Sequence, residues 1–76
     1  MKFLMDETGT VAVNTAFVSE IHINEETLRV RVIAYDSDYN EFTLQKFDSD
    51  DKDKNLIAAK KYFVELVDKL NSGGNL

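Results

Sequence analysis

The chain has 76 residues and a formal net charge of −5, with 43% hydrophobic and 30% charged residues. These values are typical of one small folded domain and exclude a disordered chain. It contains no cysteine and a single histidine, His22, so neither a disulfide framework nor a histidine-rich metal cluster can stabilise it. We therefore expect stability to come from packed apolar side chains or from association with another chain.

The negative charge is concentrated in one segment, because residues 36–53 carry seven acidic and two basic side chains. A negative chain is poorly suited to bind the phosphate backbone of nucleic acid directly. The N-terminus lacks a secretory signal core, and no apolar run is long enough to span a membrane. The sequence therefore predicts a cytoplasmic protein that binds neither nucleic acid nor membrane.

The first strands are short. Residues 2–5 form an apolar edge strand, and a turn follows in which Gly9 supplies a positive φ. Residues 11–13 resume extended structure, and residues 14–16 form a polar corner in which Asn and Thr side chains bond to the backbone.

Three longer strands follow, at residues 17–23, 28–35 and 41–47. In the first, alternation places Ile21 on the core face and Val18 on the outward face. In the second, the outward side chains are those of Arg29, Arg31, Ile33 and Tyr35. In the third, Phe47 breaks the alternation, so we expect it to tuck under the start of the helix.

The segment 51–70 is predicted to be an amphipathic helix. Its apolar stripe consists of Leu56, Ala59, Phe63, Leu66 and Leu70, widened by Ile57, Tyr62 and Val67. Ser49, Asp50 or Asp51 is suited to cap its start, and Gly73 and Gly74 are expected to end it. The domain then covers residues 1–70, and residues 71–76 form a flexible tail.

Short polar turns favour antiparallel hairpins. We therefore predict an α+β fold, an antiparallel β-meander of four or five strands with one C-terminal helix packed on one face. The expected core consists of Phe3, Phe17, Ile21, Ile23, Leu28, Val30, Val32, Phe42, Leu44, Leu56, Ala59, Phe63, Leu66 and Leu70.

Two acidic segments resemble the start of a calcium loop. Such a loop requires glycine at its sixth position and glutamate at its twelfth. Counted from Asp36 these positions hold Glu41 and Phe47, and counted from Asp48 they hold Asp53 and Ala59. The favoured interpretations are a solvated turn and a helix cap. The alternative is an acidic patch that mimics phosphates or binds a basic protein, formed by Asp36, Asp38, Asp48, Asp50, Asp51 and Asp53.

His22 is predicted to be a surface residue. It has no second histidine or cysteine for a zinc site, and no serine lies in a recognisable nucleophile turn. Gly-rich phosphate loops and paired carboxylates in a cleft are also missing from the sequence. We therefore predict no catalytic residue, no metal and no cofactor.

The uncovered face of the sheet is the candidate interface, formed by Val18, Arg29, Arg31, Ile33 and Tyr35. Basic groups beside an aromatic could suit single-stranded nucleic acid, but one aromatic is a weak signal. Because one helix shields only one face, apolar side chains on the other would favour self-pairing. We expect a homodimer through this face or through an edge strand.

The order of these signals resembles a group of small, uncharacterised bacterial and phage proteins built as a β-meander with a C-terminal helix. The resemblance lies in Val13-Asn14, Phe17-Val18 with Ile21, Phe42-Thr43-Leu44 with Phe47-Asp48, and Phe63, Leu66 and Leu70. The chain is also similar to a small flagellar-operon protein, although the charged turns differ. The resemblance implies a fold and a genomic setting and brings no catalytic residue.

The sequence thus predicts a small non-enzymatic interaction or accessory module that self-associates. The alternative is an acidic inhibitor from a mobile element, which would mimic nucleic acid through the acids of residues 36–53 and occupy a basic protein.

Overall fold

The computed structural model describes residues 2–72, which form five strands and one long helix. The elements are β1 (Phe3–Met5), β2 (Ala12–Asn14), a 3-10 helix (Thr15–Phe17), β3 (Val18–Glu25), β4 (Val30–Asp36), β5 (Glu41–Phe47) and α1 (Lys52–Asn71). Every strand pair is antiparallel, and α1 packs against β3, β4 and β5. The predicted α+β class, with antiparallel strands and a C-terminal helix, is confirmed.

The strands form two sheets, one of β1 and β2 and one in the order β3-β4-β5. The chain passes from the first sheet to the second at the predicted corner. There the Asn14 side chain accepts a hydrogen bond from the Ala16 amide at 2.9 Å and starts the 3-10 helix. The hairpin of β1 and β2 turns through Gly9, whose φ of 74° confirms the predicted left-handed turn.

Helix α1 begins where the acidic loop ends. Asp51 is its N-cap and accepts a hydrogen bond from the Lys54 amide at 3.2 Å. Asn71 is still helical, while Gly73, Gly74 and the rest of the predicted tail lie outside the described residues.

The core lies between α1 and the three-stranded sheet, with the hairpin closing one end. Its buried members are Leu4, Val13, Val30, Val32, Ala34, Leu44, Ala59 and Leu66. Six further predicted core residues are partly buried against them: Ile21, Ile23, Phe42, Leu56, Phe63 and Leu70. Phe47, which was expected under the helix, is also partly buried there. The Phe47 and Tyr62 rings meet with centroids 6.1 Å apart.

Two β-bulges reverse the alternation of side chains along the strands. In β3 the register shifts between Val18 and Glu20, and in β5 it shifts opposite Val32 and Ile33. A bulge adds one residue to one strand, so the residues on its two sides change faces. Val18, predicted to point outward, therefore packs against the core, and Phe47 returns to the core face.

Several predicted core positions are wrong. Phe3, Phe17 and Leu28 are 55%, 62% and 41% exposed, because they lie on the outer side of β1, in the 3-10 helix and in the turn before β4. Ile57, expected to widen the helix stripe, is 69% exposed. Conversely, Leu4 is buried in the core, and Ile33 is fully buried although it lies on the outward face.

Asn55 is the buried polar residue of the core, with 3% of its surface exposed. Its side-chain oxygen accepts from the Ser49 amide at 3.0 Å and from the Ser49 hydroxyl at 2.6 Å. Its amide nitrogen donates to the carbonyls of Leu28 and Ser49, both at 3.0 Å. Asn55 therefore joins the first turn of α1 to the preceding loop and to the turn between β3 and β4.

Candidate functional site

The outer face is the side of the three-stranded sheet that α1 does not cover. Its central residue is Ile33, paired with His22 of β3 and, across the bulge, with Thr43 of β5. Arg31 and Tyr35 lie two residues away on the same strand and the same face. Because these larger polar side chains surround it, Ile33 has no exposed surface. The outer face therefore offers no apolar contact at its centre.

Arg31 is the hub of a polar network on the outer face. Its guanidinium lies 2.9 Å from a Glu26 carboxylate oxygen and 3.3 Å from one of Glu41, and it donates to the Thr43 hydroxyl at 2.9 Å. Burial alone would lower the pKa of Arg31, but its hydrogen bonds to Glu41 and Glu26 outweigh that effect and raise it. The charge of Arg31 is thus balanced by carboxylates on both sides.

Arg29 shares the Glu26 carboxylate with Arg31. Its guanidinium Nε donates to Glu26 at 2.6 Å, and this bond, more than the attraction of either positive charge, lowers the pKa of Glu26. Arg29 lies in the turn before β4 and not on the strand itself. Both arginines of the candidate interface are therefore bound by acids of the same chain.

The remaining corner of the outer face holds His22 and Tyr35. The His22 Nδ1 lies 2.6 Å from a Glu20 carboxylate oxygen, and the His22 and Tyr35 rings are 5.1 Å apart. The Tyr35 hydroxyl donates to Glu41 at 3.2 Å. Burial first, and then this bond to Glu41, raise the pKa of Tyr35. Within residues 2–72 the hydrogen-bond partner of the His22 ring is thus the Glu20 carboxylate.

The five candidate interface residues are thus not brought together as one open patch. Val18 packs on the core, Ile33 is covered, and Arg29 and Arg31 are paired with acids. Tyr35 and the His22 ring beside it are partly exposed aromatics on this face, and their centroids lie 5.1 Å apart. Base stacking on a single-stranded nucleic acid is favoured by exposed aromatics beside unpaired cations, whereas Arg29 and Arg31 are already paired with Glu26.

The six acids of the candidate patch fall into two separate groups. Asp36 ends β4 and Asp38 lies in the turn before β5, and the other four follow the end of β5. A strand of seven residues spans roughly 20 Å, so the two groups occupy opposite ends of the sheet.

Two of these acids are engaged in local structure. The Asp36 carboxylate accepts bonds from the Asp38 amide and from the amide and side chain of Asn40, each at 2.9 Å. The bonds from Asn40 are the main reason that the pKa of Asp36 is lowered. Asp51 caps α1, as described above.

Two exposed phenylalanines lie at a surface cleft of about 500 Å³, which we call the Phe3–Phe17 cleft. Phe3 and Phe17 line it and are 55% and 62% exposed. The other lining residues are Ala12, Val13, Asn14, Asp36, Ser37, Asp38 and Phe42. The cleft thus combines aromatic walls with an acidic rim from the β4–β5 turn.

A second cleft of about 430 Å³ opens between β1, the end of α1 and β3, and we call it the β3 cleft. Its apolar lining comes from Leu4, Val18, Ile21, Val67 and Leu70. It lies along the edge of β3 that pairs with no other strand.

Two further properties of residues 2–72 concern metal binding and membranes. No three histidine, cysteine or carboxylate side chains in this part of the chain lie together in a way that could hold a metal ion. Within the same residues, no helix combines the length and apolar character needed to cross a membrane.

Comparison with known proteins adds no relative. No protein-family model, curated protein or solved structure matches the chain. The candidate surfaces therefore have to be interpreted from their own chemistry.

Sequence reasoning missed the Phe3–Phe17 cleft because it assigned both phenylalanines to the core. A signal was available for Phe3. It alternates with Leu4 in a strand of three residues, so only one of the two can face inward. For Phe17 the cue was the Asn14-Thr15 corner directly before it, which ends the extended pattern.

Proposed function

We propose that this protein is a small, cytoplasmic, non-enzymatic interaction module that self-associates as a homodimer and binds a basic protein partner. One observation carries the proposal. Many of the large apolar side chains of this short chain stay exposed, by 41–84%: Phe3, Met5, Val11, Phe17, Leu28, Tyr39, Ile57 and Val64. Association is the way in which such surface is removed from water.

The Phe3–Phe17 cleft fits a partner segment that is both apolar and basic. Its aromatic walls would take apolar side chains, and the Asp36 and Asp38 carboxylates at its rim would attract Lys or Arg. Asp36 is ionised at neutral pH, and the hydrogen bonds from Asn40 lower its pKa further. A second copy is a poor occupant of the cleft, since two-fold pairing would bring the two acidic rims together.

The partner part of the proposal is tested with a fluorescent peptide of alternating leucine and lysine. We expect Phe17→Ser to weaken binding, measured by fluorescence anisotropy, by about tenfold or more, because an aromatic wall is lost. Ile57→Ser is the matched control, since Ile57 is 69% exposed and lies on α1, away from the cleft.

Charge is tested separately with Asp38→Asn and its control Asp48→Asn, which remove the same charge at the two ends of β5. We expect only Asp38→Asn to weaken the peptide complex. Equal affinities for all four variants would show that the peptide binds elsewhere and would remove this part of the proposal.

The self-association part is tested by sedimentation velocity over a wide range of protein concentrations. We expect a species of twice the mass of one chain. A single-chain mass at every concentration would exclude the homodimer.

The alternative, an acidic inhibitor that mimics nucleic acid, is less well supported by the geometry. Mimicry needs acids spaced along one surface as phosphates are, and here two groups lie roughly 20 Å apart at opposite ends of β5. Charge reversal at Asp48, Asp50 and Asp51 would abolish the capture of a basic partner if this alternative held. The cleft proposal expects that capture to persist.

A further inference from the structure

The three-stranded sheet has two edges of unequal character. On β5 the Thr43 carbonyl already accepts a hydrogen bond from the Glu7 amide at 2.8 Å, a bulge distorts the strand, and Lys46 follows. Bulges and lysines are the features that protect edges from pairing. On β3 the bulge lies near the start of the strand, and the six residues after it, 20–25, pair in unbroken register with β4, include neither Lys nor Pro, and have no strand on their other side. The β3 edge is therefore the open one.

The register shows which backbone groups of β3 are free. In an antiparallel ladder, alternate residues direct both N–H and C=O toward the same neighbour. The Glu26 amide donates to the Arg29 carbonyl at 2.9 Å, so the β3 residues an even number of positions before Glu26 also bond to β4. These are Asn24, His22 and Glu20, which pair with Arg31, Ile33 and Tyr35. Ile21 and Ile23 consequently direct their N–H and C=O groups outward, away from β4.

We infer that two copies of this chain pair antiparallel through β3 and join their sheets into one continuous six-stranded sheet. The inference rests on the self-association proposed above and assigns it to a surface. In the favoured register Ile21 lies opposite Ile21 of the second copy, at the two-fold axis. Both α1 helices then lie on the same face of the joined sheet, because opposed residues of an antiparallel pair share a face.

Two observations select this register. It places Glu20 opposite His22 of the second copy, on both sides of the axis, so each carboxylate meets an imidazole across the strands. It also places Ile23 of the second copy opposite Ser19, at the β3 cleft lined by Leu4, Val18 and Leu70. Shifting one strand by two residues would instead put His22 opposite its own copy and Glu25 at the cleft.

Engineered cysteines test the register directly, because the natural chain has no cysteine. The Cα atoms of a hydrogen-bonded antiparallel pair are about 5.5 Å apart, which a disulfide spans. We expect Ile21→Cys to form a disulfide-linked dimer rapidly under mild oxidation, and His22→Cys and Ile23→Cys to do so at least about tenfold more slowly. Faster linkage at His22→Cys or Ile23→Cys would overturn the register.

A second set of variants tests the edge itself at Ser19, whose hydroxyl donates to the Tyr35 and Asp36 carbonyls of β4 at 3.3 and 3.2 Å. Ser19→Ala removes these two bonds without adding a charge and is therefore the control for their loss. Ser19→Lys places an ammonium group where Ile23 of the second copy would lie, and we expect the dimer dissociation constant to rise by about tenfold or more. Gln45→Lys adds the same charge on exposed β5 and should leave the constant unchanged. Circular dichroism confirms that all three variants keep the fold of the natural chain.

The outcomes separate this inference from the proposal beneath it. A natural chain that stays monomeric at every concentration removes both. A dimer that survives Ser19→Lys and is not linked through Ile21→Cys removes only the pairing through β3 and returns self-association to another surface.

Discussion

Replacement of Asn55 by alanine is the sharpest test of how α1 is attached to the sheet. The substitution removes four hydrogen bonds at a side chain that is only 3% exposed. The Ser49 hydroxyl can turn to water, but the Leu28 carbonyl and the amide and carbonyl of Ser49 lose their partner. A hydrogen bond contributes a net of about 0.5–1.5 kcal/mol, so the loss of these three lowers the free energy of unfolding by about 1.5–4.5 kcal/mol.

That loss is large for this domain. Small proteins are stable by about 0.05–0.15 kcal/mol per residue, which for this chain amounts to about 4–11 kcal/mol. Urea unfolding followed by circular dichroism is the assay. With a slope of about 1 kcal/mol per molar urea, the midpoint falls by about 1.5–4.5 M.

Two companion variants decide what Asn55 does. Asn71→Ala, at the exposed end of the same helix, changes stability by no more than about 0.5 kcal/mol. Asn55→Asp keeps the shape but turns a carboxylate oxygen toward the carbonyls of Leu28 and Ser49, so it loses at least as much as alanine at neutral pH. If Asn55→Ala and Asn71→Ala unfolded at the same urea concentration, the anchoring role of Asn55 would be refuted.

Three further predictions concern single positions, each measured by urea unfolding. Ile33→Ala lowers the free energy of unfolding by about 2–5 kcal/mol because Ile33 is fully buried, whereas the exposed Ile57→Ala changes it by no more than about 0.5 kcal/mol; similar losses would mean that the outer face is open to water. Gly9→Ala lowers the free energy of unfolding by about 1–2 kcal/mol because the φ of Gly9 is 74°. A clash is not the cause, since the added carbon would meet the Met5 sulfur at 3.7 Å. Gly9→Asn loses less because Asn tolerates this conformation, and an unchanged stability of Gly9→Ala would contradict the left-handed turn. The folded-state pKa of Glu26 lies below its ordinary value of 4.5, so the contribution of Glu26 to the free energy of unfolding is fully present above pH 4.5 and is lost as the pH falls through the folded pKa. Glu26→Gln is therefore expected to lose less stability on acidification than the natural chain. An unchanged pH profile would contradict this role of Glu26.

The fold class and most element bounds could be predicted because their signals are local. The bounds of β5 were predicted without error, and α1 was displaced by one residue at each end. Gly9 and the Asn14 corner followed from side-chain chemistry within a few residues. The faces of the strands were predicted less well, since one bulge near Ser19 and one near Leu44 reverse them. Nothing in the alternation of residues 17–23 or 41–45 marks either bulge.

The candidate surface was harder to predict, because it depends on which of several apolar residues reach the core. The alternation of residues along β4 predicted that Ile33 faces outward and is exposed. The neighbouring side chains of Arg31, His22, Thr43 and Tyr35 instead cover it. Arg31, His22 and Tyr35 are held in place by bonds to glutamates that come from different strands and turns. Such bonds form only in the folded sheet and cannot be read from any one segment of the sequence. Asn55 was overlooked because a polar residue in a helix is normally assigned to water, although it lies four residues before Ala59 on the buried stripe.

The hydrogen bond from Glu7 to Thr43 has a consequence for aggregation. A protein whose sheet is exposed at both margins can add molecules without limit, which is how fibrils elongate. Here the hairpin turn occupies one margin, so any molecule that joins through the other presents its own occupied margin outward. Growth by strand addition would then terminate after a single step, and loss of the contact between Glu7 and Thr43 would leave both margins able to pair.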